Sequence, residues 1–250
     1  LLHDVVWRLR LVRRGCPLRH GDHHRGGALT LAPGEAKALI FDFGGPVLLT
    51  PFELRHVGER SLGLPPGAFP WTGPFDPAAD ADWRSFQAGG MNEREYWARR
   101  SAEFGELTGE PATMPALCAH LYSGSEDELV RPAARRLIDD AKAAGIPVGV
   151  LTNDLTSFHD QEWLARMGVL REFDVLVDGR TEGVYKPDRR AYEIVIERMG
   201  VDPATTIFID DQPVNLDGAD VAGLTPVRLD PTDPAPGFRL ARTLLGLPQE

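Results

Sequence analysis

Apolar residues gather in five short runs between residues 38 and 229 of the chain. The runs are residues 38–43, 146–151, 174–177, 206–209 and 224–229. They are nearly continuous in apolar residues, which is typical of strands buried on both faces of a parallel sheet. Helical patterns lie between most of them, at 131–144, 155–167, 188–199 and 213–222. A strand followed by a helix, repeated along the chain, predicts an α/β fold with a doubly wound parallel sheet.

The interval between the first two runs breaks this rhythm. Residues 44–145 are far more than one crossover needs, and they contain three helical patterns, at 52–62, 92–107 and 113–129. Asn92 followed by Glu95 matches a capping box at the start of the middle one. We therefore expect residues 37–50 and 131–250 to form the core domain. Residues 51–130 would form a small helical cap, inserted after the first strand over the sheet edge where such folds bind ligands.

Residues 1–36 differ from the rest of the chain. They hold four of the seven histidines and show no sustained helical or strand period. Residues 1–37 carry a net charge of +4, whereas the whole chain carries -10, so the remainder is strongly acidic. We interpret residues 1–36 as a mobile N-terminal extension. Its "HGDHH" segment is interpreted as part of a solvated tail, because no further ligands are spaced to complete a metal site.

Composition narrows the class of protein. The apolar fraction of 42% is enough to fill a core, and no apolar run approaches the length of a membrane span. An acidic body argues against nucleic acid as a partner, because phosphate backbones bind basic faces. Two distant cysteines form no disulfide framework. These features predict a soluble, cytoplasmic protein that binds neither nucleic acid nor membranes, and they leave the oligomeric state open.

Polar side chains stand at or beyond the ends of four of the predicted strands. In chain order they are Asp42, the pair Thr152 and Asn153, Lys186, and the pair Asp210 and Asp211. A parallel sheet would bring all of them to one edge. A carboxylate beside Mg²⁺ can attack phosphorus, and Mg²⁺ prefers oxygen ligands. A hydroxyl and an ammonium group can hold phosphoryl oxygens and offset their charge.

These positions also carry a family resemblance. "FDFGG", "LTND", "YKPDRRAYEIVIERMGVDP" and "IFIDDQPVNLDGA" stand in the order of the four motifs of the haloacid dehalogenase-like (HAD) hydrolase superfamily. The chain resembles its subclass with a helical C1 cap after the first strand, over roughly residues 37–230. "SFQAGGMNEREYWARR" is similar to a stretch of that cap. The resemblance implies a Rossmann-like core and Mg²⁺ as cofactor.

The resemblance also implies a role for each polar position. Asp42 would be the nucleophile. The phosphate-binding residues would be Thr152, Asn153 and Lys186. The Mg²⁺ ligands would be Asp42, Gly44 through its backbone carbonyl, Asp210 and Asp211.

One position departs from the family pattern. Phosphatases of the family usually carry a second Asp two residues after the nucleophile, as general acid and base, and here that residue is Gly44. Such catalysis typically contributes about 10²–10⁴-fold. Another group of the cap or substrate could supply the proton, and Glu53 and His56 are candidates. Alternatively, the substrate could have a good leaving group, or the protein could bind phosphorylated ligands without turnover.

The function predicted from these observations is a Mg²⁺-dependent phosphatase of small phosphorylated metabolites that works through an aspartyl-phosphate. Two alternatives stay open, a catalytically degenerate binding protein of the same family and a 2-haloacid dehalogenase. Gly44 and the Asp210–Asp211 pair count against the dehalogenase. A phosphonate hydrolase with a cap lysine is excluded, because residues 52–130 contain no lysine.

Overall fold

The structure, a computed structural model, describes residues 31–249. Within this range one sheet contains β1 (Ala38–Phe41), β2 (Val148–Thr152), β3 (Val175–Asp178), β4 (Thr206–Asp210) and β5 (Thr225–Arg228). All pairings are parallel, and the order across the sheet is β3-β2-β1-β4-β5. The predicted α/β fold with a parallel sheet is confirmed. The residue directly after β1 is therefore delivered to the middle of one sheet edge.

Helices fill the intervals between the strands. Those between β1 and β2 are α1 (Arg55–Ser61), α2 (Ala81–Gln87), α3 (Glu93–Thr108), α4 (Met114–Leu121), α5 (Glu126–Leu129) and α6 (Pro132–Ala143). Those after β2 are α7 (Leu155–Phe158), α8 (Gln161–Arg166), α9 (Gly179–Glu182), α10 (Arg189–Met199), α11 (Pro213–Val221) and α12 (Ala235–Leu245). Short 3₁₀ turns cover Gly73–Phe75, Gly168–Glu172 and Pro203–Thr205.

Both faces of the sheet are buried, which explains why its strands are apolar throughout. Successive side chains of a strand point to opposite faces. Leu39 and Phe41 of β1 accordingly join the larger core cluster, and Ile40 joins the smaller one. Helices α10 and α11 pack on the face of the smaller cluster, and α6 and α12 pack on the other. The sheet thus forms the middle layer of three.

Residues 51–130, which we call the helical insert, leave and rejoin the core at one place. The Leu49 N–H donates to the Leu129 carbonyl at 2.8 Å, and the Arg131 N–H donates to the Val47 carbonyl at 2.8 Å. Leu48 and Val130 form an antiparallel bridge between these two bonds. The two ends of the insert are therefore joined by backbone hydrogen bonds beside the C-terminal edge of the sheet.

Two helices predicted as continuous are each broken into two. The pattern over 155–167 forms α7 and α8, because the Asp160 carboxylate accepts from the Trp163 N–H and begins a new helix. The pattern over 113–129 forms α4 and α5, because Ser125 and Glu128 make a capping box of their own. The capping box of Asn92 and Glu95 is confirmed at the start of α3. Helices α2, α9 and α12 were not predicted.

Most of the predicted N-terminal extension, residues 1–30, lies outside the described residues. Its last residues run beside the end of α12, where the N–H groups of Gly34 and Ala36 donate to the carbonyls of Thr243 and Leu244, both at 3.0 Å. Across the described part of the chain, every helix is too short or too polar to cross a lipid bilayer.

Candidate active site

Asp42 lies at the centre of the candidate site because it comes directly after the central strand. Its N–H continues the ladder of β1 and donates to the Ile209 carbonyl of β4 at 2.8 Å. Its Oδ1 accepts the Phe43 N–H at 2.7 Å, which directs the carboxylate toward the sheet edge. Phe41 pairs with Ile209 in the same ladder, so Asp42 and Asp210 come directly after paired residues of adjacent strands.

Lys186 joins these two carboxylates. Its Nζ lies 2.8 Å from Asp42 Oδ1 and 2.8 Å from Asp210 Oδ2, and its side chain is almost fully buried. Although burial favours the neutral amine, Asp210 and Asp42 hold the pKa of Lys186 above its ordinary value. Lys186 is therefore a buried cation at the place where three chain segments meet.

Asn153 holds the segment that carries Lys186. Its Oδ1 accepts the Lys186 N–H at 2.7 Å, and its Nδ2 donates to the Lys186 carbonyl at 3.1 Å. Both ends of the Asn153 amide are thus engaged by the Lys186 main chain. The neighbouring Thr152 is buried at the end of β2 and lines the cleft at this edge of the sheet.

Three carboxylates come together beside this lysine. Oxygens of Asp42, Asp210 and Asp211 lie within 4.8 Å of one another. Asp210 is fully buried; it accepts the Gln212 N–H at 2.8 Å and both its oxygens accept from Asn215 Nδ2, at 3.2 and 3.1 Å. When all three acids are ionised, their negative charge exceeds the single positive charge of Lys186. The site therefore has excess negative charge and oxygen ligands, the conditions that suit a divalent cation such as Mg²⁺.

The protonation of these acids reflects the crowding. Burial raises the pKa of Asp42 to about 7, opposed by the charge of Lys186 and aided by that of Asp210. Burial, with the charges of Asp210 and Asp42, also raises the pKa of Asp211 well above its ordinary value. Without a cation, the cluster retains protons near neutral pH. A bound cation would replace them.

The two glycines after Phe43 meet different surroundings. Gly45 has a φ of +84°, and a Cβ there would lie 3.0 Å from the Asp211 carboxylate, so this position requires glycine. A Cβ on Gly44 would meet nothing within 4 Å. The position of the missing second Asp is therefore open space, and the absence of that carboxylate is not imposed by packing.

A cleft of about 1420 Å³ lies between the insert and this edge of the sheet. On the core side its lining includes Asp42, Thr152 and Lys186, and on the insert side Glu93 and Trp97. The cleft connects the polar groups around Asp42 to the inner surface of the insert. It has room for a substrate considerably larger than a phosphate group.

The two proton donors considered from the sequence do not line this cleft. Both Glu53 oxygens accept from the Arg131 guanidinium, at 3.0 and 2.8 Å, and Arg131 Nε also donates to the Gly45 carbonyl at 3.0 Å. Glu53 is thus held in an ion pair behind the loop after β1. The His56 ring is exposed and lies 3.0 Å from the Glu53 carbonyl.

Sequence reasoning missed three residues of the site region: Asn215, Arg131 and Glu93. Asn215 had a local signal, because it is a polar residue early in a helix that comes after the Asp210–Asp211 pair. The positions of Arg131 and Glu93 depend on how the insert packs on the core. Neither carries a local signal of that kind.

The sequence profile described as "haloacid dehalogenase-like hydrolase" matches residues 36–223. Among curated relatives, "Acyl-CoA dehydrogenase family member 10" of Mus musculus is 28% identical over 97% of this chain and 22% of its own length. "Phosphatase MT3486" of Mycobacterium tuberculosis is 32% identical over 44% of this chain and 55% of its own. "(S)-2-haloacid dehalogenase 4A" of Burkholderia cepacia is 28% identical over 60% and 71%. The chain thus spans less than two thirds of the first two relatives.

The fold has counterparts among solved structures. The magnesium-bound HAD-hydrolase YfnB from Bacillus subtilis superposes with a TM-score of 0.60, covering 85% of this chain and 99% of that one at 19% identity. At this identity the likeness concerns the fold alone. The profile match covers most of the chain, and the chain therefore belongs to the haloacid dehalogenase-like hydrolase family.

Proposed function

We propose that this hydrolase is a Mg²⁺-dependent phosphatase of small phosphorylated molecules that works through a phosphorylated Asp42. The observation that carries the proposal is the position of Lys186 Nζ, 2.8 Å from Asp42 and 2.8 Å from Asp210, with the Asp211 carboxylate in the same cluster. A nucleophilic carboxylate, a buried cation and a group of oxygen ligands are the parts that phosphoryl transfer needs.

Each residue has a definite task in this proposal. An Asp42 oxygen attacks phosphorus and the ester oxygen leaves. The Lys186 ammonium and the Thr152 hydroxyl bind phosphoryl oxygens, and Asn153 fixes the Lys186 main chain so that the ammonium stays in place. Asp42, Asp210, Asp211 and the Gly44 carbonyl would hold Mg²⁺, which supplies positive charge against the phosphoryl oxygens.

The names of the relatives support the proposal only in part, since one is a phosphatase and another a haloacid dehalogenase. The buried acidic cluster favours the phosphatase. Three neighbouring carboxylates are costly to bury unless a cation offsets them, and such a cation suits a phosphate ester. A family member that binds phosphate ligands without turnover is the remaining alternative, because Gly44 provides no proton donor.

The test measures hydrolysis of p-nitrophenyl phosphate and acetyl phosphate with Mg²⁺ and with EDTA. We expect turnover that needs Mg²⁺ and that Asp42→Asn abolishes, because an amide is a poor nucleophile toward phosphorus. Asp220→Asn is the matched control, since Asp220 is an exposed residue of α11 outside the cleft lining. Its rate should equal that of the unmodified chain.

Other outcomes decide against the proposal. Phosphate binding without turnover on any ester would identify a binding protein. Metal-independent release of halide from a 2-haloacid would identify a dehalogenase.

A further inference from the structure

The open space at Gly44 raises the question of which residue provides the proton that the family's second Asp would supply. A replacement has to reach the leaving group from another direction, and it has to be an acid that lines the same cleft as Asp42. Core residues past the strand ends and insert residues above them both meet this cleft. The candidates are therefore the acids of these two surfaces.

Helix α3 presents one such acid from the insert. Glu93, Trp97 and Ser101 are spaced four residues apart, which places them on one side of the helix, and all three line the cleft. The Trp97 indole lies beside the Glu93 carboxyl and opposes the rise of its pKa. Trp97 itself packs against Phe52 and Tyr96, with ring centroids 5.3 and 5.2 Å apart, so the indole beside Glu93 is held in place.

The electrostatic surroundings place Glu93 close to the chemistry. The Glu93 side chain is exposed to water, yet the protein atoms around it raise the pKa of its carboxyl, aided by the charges of Asp210 and Asp154 and opposed by Trp97 and Lys186. Asp154 also lines the cleft, but the charges that act on it are those of Asp178, Arg180 and Arg94. Of the cleft-lining acids outside the proposed metal ligands, namely Glu93, Asp154 and Asp230, Glu93 is the one whose pKa is shifted by both Asp210 and Lys186.

We propose that Glu93 is the general acid and base of this enzyme, supplied by the insert in place of the residue missing at position 44. The inference rests on the proposed phosphatase function. In the first step Asp42 Oδ bonds to phosphorus, the ester P–O bond breaks, and the Glu93 carboxyl gives its proton to the departing oxygen. In the second step the Glu93 carboxylate takes a proton from water, whose oxygen attacks phosphorus and releases Asp42.

Leaving-group chemistry tests this role. An alkyl oxygen must be protonated as it leaves, whereas p-nitrophenolate leaves without help. We expect Glu93→Gln to lower kcat/KM for n-butyl phosphate, which reports the first step alone, by about 10²–10⁴-fold. For p-nitrophenyl phosphate the loss in kcat/KM should stay below about tenfold, although kcat can fall for both esters through the second step. Adding Gly44→Asp to Glu93→Gln should recover most of the loss on n-butyl phosphate, because a Cβ at position 44 meets nothing within 4 Å.

Glu106→Gln is the matched control, since Glu106 is an exposed residue of the same helix outside the cleft lining. It should leave both rates unchanged. Equal losses on the two esters, or no loss on n-butyl phosphate, would overturn the role of Glu93 while leaving the phosphatase intact. A wild-type chain that hydrolyses neither ester overturns the proposed function and this inference together.

A separate observation concerns the aromatic residues that the insert contributes to the cleft lining. Four of them, which we call the aromatic wall, are linked by ring contacts: Phe52, Trp83, Phe86 and Trp97. Ring centroids are 5.2 Å apart for Phe52 and Trp83 and 5.1 Å apart for Trp83 and Phe86. Trp83, Phe86 and Trp97 are only half-buried, so part of each ring remains accessible to a ligand in the cleft.

We infer that the aromatic wall binds the leaving group, and that the substrates are phosphate monoesters of apolar alcohols. This also rests on the proposed function. Contact with aromatic rings removes the apolar surface of a ligand from water, which favours binding. The same rings offer few hydrogen bonds to the hydroxyls of a sugar. The continuity of the cleft with Asp42 and Lys186 places the phosphate at the sheet edge and the apolar group against the wall.

The test compares kcat/KM for n-octyl phosphate with that for glycerol 3-phosphate. We expect a preference of at least about tenfold for the octyl ester, reduced severalfold by Phe86→Ala and retained by Phe86→Leu. Leu107→Ala, on the exposed side of α3, is the control that should keep the preference. Turnover of both esters without preference, or an unchanged preference in Phe86→Ala, would overturn the inference; turnover of neither would overturn the phosphatase itself.

Discussion

At the scale of single residues, charge governs the candidate site. Lys186 is shared between Asp42 and Asp210, so none of the three can be changed without altering the other two. Asn215 and Asn153 hold Asp210 and the Lys186 main chain by hydrogen bonds. The site is therefore preorganised by two amides that need not touch the substrate, and a merely charge-preserving substitution at Lys186 would disturb its geometry.

A second residue-scale consequence concerns His159. Its ring stacks on Trp163 at 3.7 Å, and burial together with the Arg166 charge lowers the pKa of His159 from 6.5 to about 4. Between pH 4 and pH 6.5 the unfolded chain binds a proton at this ring and the folded chain does not. The unfolding free energy therefore has its full value above pH 6.5 and decreases as the pH falls toward 4.

We therefore predict that His159→Gln flattens the pH dependence of unfolding. Between pH 7 and pH 4.5 the unmodified chain should lose about 2 kcal/mol more unfolding free energy than the variant. Urea denaturation at the two pH values measures this. His56→Gln, which changes an exposed histidine, should keep the full dependence, and a His159→Gln profile parallel to that of the unmodified chain would refute the assignment.

The residues directly after strands were predictable from the sequence because strand ends are marked by the end of an apolar run. Predicting that the side chains of Asp42, Thr152 and Asp210 meet at one sheet edge required only that the strands be parallel. The amide of Asn153 was not predictable in the same way, since its contacts depend on the path of the loop that carries Lys186. The same holds for Glu93, whose position relative to Asp42 depends on the packing of α3.

At the scale of elements, one ion pair ties the start of α6 to the loop after β1. Arg131 is buried and binds both Glu53 oxygens and the Gly45 carbonyl, next to the residues that begin the site. Thr50 adds two hydrogen bonds to Glu53 at 2.9 Å. The loop that carries Gly44 and Gly45 is thus braced from behind by the helix that comes after the insert.

We predict strong coupling between these two partners. Glu53→Met alone should cost roughly 3 kcal/mol of unfolding free energy, because it leaves the buried Arg131 charge without its partner, and Arg131→Met should cost somewhat less, because Glu53 is only half-buried. The double variant should cost much less than the two together, and the double-mutant cycle measures the difference. Arg60→Met, at an exposed pair with Glu128, should cost below about 1 kcal/mol. If the losses of unfolding free energy in the two single variants simply add in the double variant, Arg131 and Glu53 are not energetically coupled.

The limits of prediction at this scale come from capping. Asp160 and Ser125 begin new helices inside patterns whose apolar period continues across them. Periodicity alone therefore predicted one helix where the structure has two. Helix α12 was missed because Pro236 and Gly237 in its first turn weaken the helical pattern. The strands and α10 were predictable within a few residues, because continuous apolar runs and glycine ends are local signals.

At the scale of the whole molecule, stability and metal binding are linked. The chain carries a net charge of -10, and three of its acids meet within 4.8 Å around Lys186. Anything that offsets that cluster in the folded state only will stabilise the fold. Magnesium binding should therefore be visible as a change in global unfolding, independently of any enzymatic assay.

We predict that Mg²⁺ at about 100 times its Kd raises the unfolding free energy by about 2.7 kcal/mol relative to EDTA. Asp211→Asn should lose most of this gain and should be more stable than the unmodified chain in EDTA, since it removes an acid whose ionisation the folded state disfavours. Calorimetry of both chains in both buffers measures this, with Asp220→Asn as a control that keeps the gain. An unmodified chain whose unfolding ignores Mg²⁺ would contradict the metal site.

The backbone bonds that close the insert at Leu49–Leu129 and Val47–Arg131 have one more implication. The chain leaves and rejoins the core at almost the same point. The structure of the sheet therefore does not depend on which segment is inserted there, provided that the two ends of the segment are adjacent. A module from another protein could be grafted there as a cassette. Selectivity for one alcohol over another could then evolve by exchange of the insert. Under the Glu93 proposal, each replacement insert would also have to contain a general acid that reaches the leaving group.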